Sequence, residues 1–348
     1  MSADLHIVTG KGGTGKSTVA AALALALASS GRRVLLCEVE GRQGIARMFD
    51  VDPLPYAETR LATGLPGDDG VGGSVNALHV DAESALLEYF AMYYRLGKAG
   101  KALEKFGVLE FATTIAPGVR DVLLTGKVYE AVIRNARNKG AITYDAVVMD
   151  APPTGRITQF LNVNGELAGL AKVGPIRSQA DKVMELFRSD ATRVHLVTLL
   201  EEMPVQETID GIAELRAVGL PVGALIANRV GASALSPTDL ERTRRGELDP
   251  IRLAAELDDV GLAAPGAVEA LVALAGEHAA RIGLQDSQRE LLTETGLPYA
   301  ELPLLGATDR PDAGAAVDLA GLYELAGHLV ATGVSEVKGS LDATGGQA

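Results

Sequence analysis

Residues 10–17 carry a spacing that suits phosphate chemistry. They read Gly-Lys-Gly-Gly-Thr-Gly-Lys-Ser and fit the pattern G-x-x-x-x-G-K-[ST]. The glycines allow successive backbone N–H groups to turn inward around an anion. Lys16 can neutralise the β- and γ-phosphates of a nucleotide, and the Ser17 hydroxyl can bind Mg²⁺. The predicted nucleotide-binding residues of this segment are Gly10, Lys11, Gly12, Gly13, Thr14, Gly15, Lys16, Ser17 and Thr18.

The elements on either side position this loop. An apolar run from Leu5 to Val8 predicts a buried strand before it, and the Ala/Leu-rich run from Val19 to Ala28 predicts a helix after it. The helix begins near Lys16, so its positive dipole end points at the bound anion. A second apolar strand is predicted at 33–39, which indicates the βαβ opening of a parallel sheet.

Lys11 is a second lysine within the loop, and a phosphate-binding loop does not require it. It is either a solvated lysine or one that reaches across a dimer interface to the nucleotide on the facing subunit. The run Lys-Gly-Gly-Thr-Gly-Lys-Ser-Thr at 11–18 resembles the deviant Walker A group of ATPases. That group includes the MinD and ParA positioning ATPases, nitrogenase iron proteins, and the arsenical-pump and tail-anchored-protein-targeting ATPases.

Asp150 ends a third predicted strand, at 144–149, and Ala-Pro-Pro-Thr-Gly-Arg follows it. An apolar strand that delivers an aspartate at its carboxyl end is typical of a Walker B element, which holds Mg²⁺ through water. Ser17 and Asp150 are therefore the predicted metal residues. Gly155 would allow the turn after Asp150 to move with the γ-phosphate.

Two further sites are predicted at carboxyl ends of strands, where open α/β sheets bind ligands. Glu38 and Glu40 flank Val39 and so point the same way. They either form a solvated strand end or lie in a switch segment near the γ-phosphate. Asn228 follows a strand predicted at 222–227; it is either a turn residue or a bidentate partner of adenine.

The segment after Asp150 makes the resemblance specific. Asp150, Pro153, Thr154, Gly155 and Arg156, followed by Phe160-Leu161, resemble the switch II signature of the arsenical-pump and tail-anchor-targeting ATPases, although Arg156 replaces the usual His. The likeness runs from residue 5 to about 330 and is strongest to the single-domain actinobacterial type.

This resemblance implies ATP and Mg²⁺ as cofactors and an ATPase that works as a dimer. It places Glu40 where the family has an aspartate, so Glu40 would orient the attacking water, with Lys16 and Lys11 as the other catalytic residues. It also implies that Asn228 contacts the adenine base. The expected partner is a second copy or a paralogous ATPase, with a protein client as a further possibility.

The predicted fold class is α/β: a P-loop NTPase with a doubly wound, mostly parallel sheet, helices on both faces and a small helical subdomain. Residues 1–333 are predicted to form a single domain, with helical elements at about 82–138 and 157–190. Residues 334–348 are predicted to be a flexible tail.

Composition narrows the function further. The net charge of −13 argues against nucleic acid and anionic membranes as partners. A single cysteine, Cys37, provides neither a disulfide nor the paired thiols of a metalloid or iron–sulfur site. The N-terminus lacks a basic segment followed by an apolar one, and the longest apolar stretch is too short for a bilayer. We therefore expect a cytoplasmic protein without stable membrane insertion.

The leading hypothesis is a dimeric Mg·ATP-hydrolysing switch that couples closure of the dimer to the handling of a partner or client. One alternative is a weakly hydrolysing, chaperone-like or regulatory subunit that acts with a paralogue. Another is a positioning ATPase of the MinD/ParA kind, against which the acidic charge and the Pro-Pro-Thr-Gly segment argue.

Overall fold

The computed structural model describes residues 4–41, 43–66, 72–94, 118–134, 141–170, 175–305 and 317–334. The strands are β1 Asp4–Gly10, β2 Arg33–Glu38, β3 Thr59–Thr63, β4 Ser74–His79, β5 Ala146–Asp150, β6 Thr192–Thr198, β7 Val222–Val230 and β8 Tyr299–Pro303. The helices are α1 Lys16–Leu27, α2 Gly44–Met48, α3 Ala82–Tyr94, α4 Val119–Ile133, α5 Thr154–Leu170, α6 Pro175–Phe187, α7 Glu202–Ala217, α8 Pro237–Arg244, α9 Pro250–Asp259, α10 Ala267–Thr293 and α11 Leu319–Ala331.

All eight strands form one sheet in the order β3-β4-β2-β5-β1-β6-β7-β8. Each neighbouring pair is parallel except β3 and β4, which run antiparallel at one edge. Strands β2 to β5 lie on one side of β1 and strands β6 to β8 lie on the other, which is the doubly wound arrangement. The predicted α/β fold with a mostly parallel sheet is therefore confirmed.

The sheet is buried on both faces, which explains why its strands read as continuous apolar runs. Alternate residues of β1, β2 and β5 belong to two separate core clusters. One cluster includes side chains of α4, α5, α6 and α7, and the other includes α1 and α11. Residues Val19–Leu27 of α1 are buried without exception, so the helix that begins at the predicted phosphate loop is fixed against the sheet.

Three helices, α8, α9 and α10, lie between β7 and β8. Helices α8 and α9 bury no residue, and α8 and α9 both pack against α10. Their surface exposes the large apolar residues Ile251, Val260, Leu262 and Leu274. No described helix is both long and apolar enough to cross a membrane.

Several predictions concern residues outside the described ranges. They include the helical continuation at 98–117, residues 171–174 of the predicted helical element at 157–190, and residues 335–348 of the predicted tail. Within the described residues, the predicted strands appear with shifts of one to three residues, as expected where hydrogen bonding and not hydropathy sets the ends. Asn228 lies inside β7 and not after it.

A buried pair of histidines crosses the sheet at β1 and β6. The rings of His6 and His195 are stacked with their centroids 5.3 Å apart, and His6 Nδ1 lies 3.1 Å from His195 Nε2. The Ala224 N–H donates to His195 Nδ1 over 3.1 Å. This assigns the proton of His195 to Nε2, which then donates to His6. The remaining N–H of His6, at Nε2, is buried without a partner among the described residues.

Burial keeps both rings neutral. Desolvation and the charge of Arg193 lower the pKa of His195 to about 3. Desolvation, then the neighbouring His195, lower the pKa of His6 well below its usual range. Below about pH 6.5 the two imidazoles bind protons in the unfolded chain and stay neutral in the folded chain. The stability that they contribute above pH 6.5 is therefore lost as the pH falls.

We predict that the free energy of unfolding falls steeply between pH 6.5 and pH 5. Each buried imidazole contributes a slope of up to about 1.4 kcal/mol per pH unit. His6→Asn should remove about half of this slope, because the amide cannot take up a proton. Urea unfolding at several pH values measures it, with His328→Asn as the exposed control. Equal slopes in the wild type and His6→Asn would contradict the prediction.

Candidate nucleotide-binding site

The predicted phosphate loop connects β1, which ends at Gly10, to α1, which begins at Lys16. Within it, the backbone N–H and the hydroxyl of Thr14 both donate to the Lys11 carbonyl, over 3.3 and 2.9 Å. This closes the loop into a tight turn. Gly13 and Gly15 both have φ of 89°, in the left-handed region that favours glycine.

The loop packs closely against the neighbouring strands. A Cβ atom on Gly10 would lie 2.1 Å from the Val197 carbonyl oxygen of β6. A Cβ atom on Gly15 would lie 2.3 Å from Asn228 Nδ2 of β7. Gly10 requires glycine for space, because the Val197 oxygen belongs to the backbone of a buried strand. At position 15 a side chain would have to displace the amide of Asn228. By contrast, nothing lies within 4 Å of a Cβ built on Gly12.

Asn228 braces the loop from the adjacent strand. Its side chain is buried, and Nδ2 donates to the Thr14 carbonyl over 2.8 Å. The sequence did not predict this contact, because the two residues are 214 positions apart in the chain and only the fold brings β7 next to the loop. The contact of Asn228 with adenine stays a prediction.

Asp150 lies beside the start of α1, as the predicted metal site requires. The Ser17 hydroxyl donates to Asp150 Oδ2 over 2.6 Å. Burial raises the pKa of Asp150 to about 7, because a carboxylate removed from water is costly to ionise. The Ser17 hydrogen bond and the charge of Lys16 act against this rise, and the charges of Glu38 and Glu40 add to it.

The structure therefore brings five predicted or candidate side chains to one place. Lys16, Ser17, Glu38 and Glu40 all act on the buried carboxyl of Asp150. Glu40 lies between β2 and α2 and is partly exposed. Glu38 is buried at the last position of β2, opposite Asp150 in the strand register. The Glu-Val-Glu pattern predicted that both acids could lie near the phosphate site, but it did not distinguish the role of Glu38 from that of Glu40.

Lys11 contacts its own chain. Its ammonium lies 2.6 Å from Glu207 Oε1 on α7, and both side chains are partly exposed. The sequence analysis did not predict Glu207 as the partner of Lys11. A reach of Lys11 towards a facing subunit, which stays a prediction, would have to exchange this ion pair for a new one.

The segment after Asp150 has a hydrogen bond near its start and a buried hydroxyl group without a hydrogen bond further on. The Thr9 hydroxyl donates to the Pro152 carbonyl over 2.6 Å. Thr154, the first residue of α5, has a buried hydroxyl without a hydrogen-bond partner among the described residues. Arg156 lies 3.8 Å from Asp121 of α4. Gly155, predicted to lie in a turn, is the second residue of α5, and nothing lies within 4 Å of a Cβ built on it.

The donor atoms suit Mg²⁺. A serine hydroxyl and a carboxylate are the hard oxygen ligands that Mg²⁺ prefers, and this ion usually takes one or two protein ligands together with substrate phosphates. Across the described ranges, no group of three or more His, Cys, Asp or Glu side chains could hold a metal by itself. Cys37 is buried, and desolvation raises the pKa of its thiol to about 12, so it is not a reactive thiolate.

Comparison with known proteins identifies relatives. A family profile described as "Anion-transporting ATPase" matches residues 4–190. ATPase BagA of Mycobacterium tuberculosis is 50% identical over 331 residues, which cover 95% of this chain and 93% of that protein.

More distant relatives are 24–28% identical. The arsenical pump-driving ATPase of Acidiphilium multivorum is 28% identical over 239 residues, 64% of this chain and 38% of that protein. ATPase GET3 of Kluyveromyces lactis is 24% identical over 257 residues, 64% of this chain and 71% of that protein.

We predict that Gly15→Ala destabilises the nucleotide-free protein by about 2 kcal/mol or more, because the added methyl group meets Asn228 and the backbone is left-handed. Gly12→Ala is the matched control in the same loop, and we expect it to change stability by about 0.5 kcal/mol or less. Urea unfolding without nucleotide measures both. Equal losses would show that the close approach to Asn228 does not limit this position.

Proposed function

The chain belongs to the anion-transporting ATPase family and is an ATPase, and on that premise we propose that it is a Mg·ATP-dependent dimeric switch that couples closure of the dimer to the handling of a protein partner. The observation that carries the nucleotide part is the hydrogen bond from Ser17 to the buried carboxyl of Asp150. It joins the start of the loop helix to the carboxyl end of β5, where a phosphate-bound cation would lie.

In this proposal the loop amides, Lys16 and the positive end of α1 hold the phosphates of ATP. Ser17 and Asp150 are the residues that would hold Mg²⁺, either directly or through water. When bound, the ion neutralises charge on the β- and γ-phosphate oxygens. A cation beside Asp150 favours the ionised carboxyl, which burial otherwise disfavours.

Glu40 is the proposed group that orients the attacking water. It lies in the loop between β2 and α2, and its charge reaches Asp150. A carboxylate positioned for this task contributes about 10²–10⁴-fold to the rate. The loop that carries Glu40 and the segment after Asp150 would respond together to the γ-phosphate, as switch segments do.

Two features support a conformational switch. The buried Thr154 hydroxyl lacks a partner among the described residues, which costs about 1–3 kcal/mol that a shift of the segment after Asp150 would recover. Lys11 is held by Glu207 of its own chain, in a pair exposed enough to exchange. We propose that ATP binding and dimer closure transfer Lys11 to the nucleotide of the facing subunit.

The partner part has support from the apolar side chains of α9 and α10. Ile251 is 84% exposed and Leu274 is 62% exposed. The helix that carries Ile251, α9, buries none of its residues. The facing subunit is a second copy or a paralogous ATPase, and a protein client is a further proposed partner.

A weakly hydrolysing subunit that acts with a paralogue is the second candidate, because Glu40 and Arg156 replace the family's usual Asp and His.

We predict that Glu40→Gln retains ATP binding and lowers hydrolysis by about 10²-fold or more, because the amide cannot accept the proton of water. Phosphate release and binding of a fluorescent ATP analogue are measured on the same preparation. Lys16→Ala is the contrasting variant, and it should lose nucleotide binding itself. Full turnover by Glu40→Gln would assign water positioning to another group.

We predict opposite effects of Lys11→Ala and Glu207→Gln on ATP-dependent dimerisation. Lys11→Ala should weaken the dimer by about tenfold or more. Glu207→Gln frees the lysine and should strengthen the dimer by up to about fivefold, since a partly exposed pair is worth at most about 1 kcal/mol. Sedimentation in the Glu40→Gln background with ATP measures both.

The matched control is Glu202→Gln, which removes the same charge from an exposed position on the same helix. It should leave dimerisation unchanged. If Glu207→Gln weakens the dimer as Lys11→Ala does, the ion pair supports assembly and does not restrain it.

A further inference from the structure

Glu38 is an acid that neither phosphate binding nor metal binding explains. It is the last residue of β2 and only 2% exposed. In the sheet register it lies between His79 of β4 and Asp150 of β5. A buried carboxylate beside another carboxyl is costly, so its contacts have to compensate for lost hydration.

Both oxygens of Glu38 have a partner. Oε1 accepts a hydrogen bond from the Gly44 backbone N–H over 2.8 Å, and Oε2 lies 3.3 Å from His79 Nδ1. Gly44 begins α2, so one side chain ties the end of β2 to the start of the next helix. Glu40 lies on the chain between these two anchor points.

The far end of this loop is fixed as well. Gln43 has φ of 53°, an uncommon conformation for a residue with a side chain. Its amide donates to the Leu54 carbonyl over 3.0 Å and accepts from the Leu54 N–H over 2.8 Å. The backbone on both sides of Glu40 is therefore held by side-chain hydrogen bonds to buried or partly buried groups.

We infer that Glu38 is a positioning residue for ATP hydrolysis: it anchors Gly44, is itself held by His79, and thereby sets where the loop presents Glu40 to the phosphate site. The inference rests on the proposed role of Glu40. Glu38 acts through the loop and touches neither water nor nucleotide in this role.

The test compares Glu38→Ala with Glu38→Gln. The glutamine keeps an oxygen that can accept from Gly44, and the alanine does not. We expect Glu38→Ala to lower kcat by about tenfold or more with KM for ATP within about threefold, because the loop and not the binding site is released. Glu38→Gln should restore kcat to within about threefold of the wild type.

Amide hydrogen exchange provides a readout independent of hydrolysis. Peptides covering residues 39–48 should exchange faster in Glu38→Ala than in Glu38→Gln, since only the alanine variant frees the Gly44 N–H. His79→Leu should act in the same direction as Glu38→Ala but more weakly, and His79→Asn, which keeps a donor near the Nδ1 position, should return towards the wild type.

Glu40→Gln is measured alongside, so that the two proposals fail separately. If Glu40→Gln hydrolyses ATP normally while Glu38→Ala loosens residues 39–48, the role of Glu40 is wrong and the anchor stands. Unchanged exchange in Glu38→Ala overturns the anchor. Equal loss of kcat in Glu38→Ala and Glu38→Gln also overturns it, since the charge of Glu38 and not its bond to Gly44 would then be what hydrolysis needs.

Discussion

The hydrogen bond between Ser17 and Asp150 is the contact on which the site depends. It joins the partly exposed first turn of α1, a helix buried from Val19 to Leu27, to the end of a completely buried strand. Because both elements are fixed by the sheet, the hydroxyl and carboxyl cannot drift apart. The cost is a desolvated acid, and the raised pKa of Asp150 expresses that cost. A nearby cation is the simplest compensation.

Glu38 and Glu40 lie at the same edge of the sheet near Asp150, but they are held in different ways. Glu38 ends a strand and is enclosed, with the backbone of Gly44 and the ring of His79 as its partners. Glu40 follows two residues later on a loop and is partly exposed. A rigid acid beside a less constrained one suits a site in which one side chain holds the backbone and the other meets the substrate.

The remaining contacts of the loop differ in strength, and the difference suits the proposed switch. Asn228 and the close-packed glycines hold the phosphate loop against β6 and β7. By contrast, the Lys11–Glu207 pair is partly exposed, and the Thr154 hydroxyl is unsatisfied among the described residues. The Lys11 ion pair and the Thr154 hydroxyl are therefore the two contacts that the proposed mechanism would exchange.

Short sequence patterns by themselves predicted much of the fold and of the phosphate loop of this protein. The glycine spacing of the loop and the apolar runs predicted the parallel sheet, because each is a short-range requirement of backbone geometry. The resemblance of the loop and of the segment that starts at Asp150 predicted the family. The partners of these residues were decided only by tertiary structure. Lys11 meets Glu207, and Thr14 meets Asn228, across separations of 196 and 214 residues. Such pairs leave no periodic signal, since strand order and not chain order brings them together.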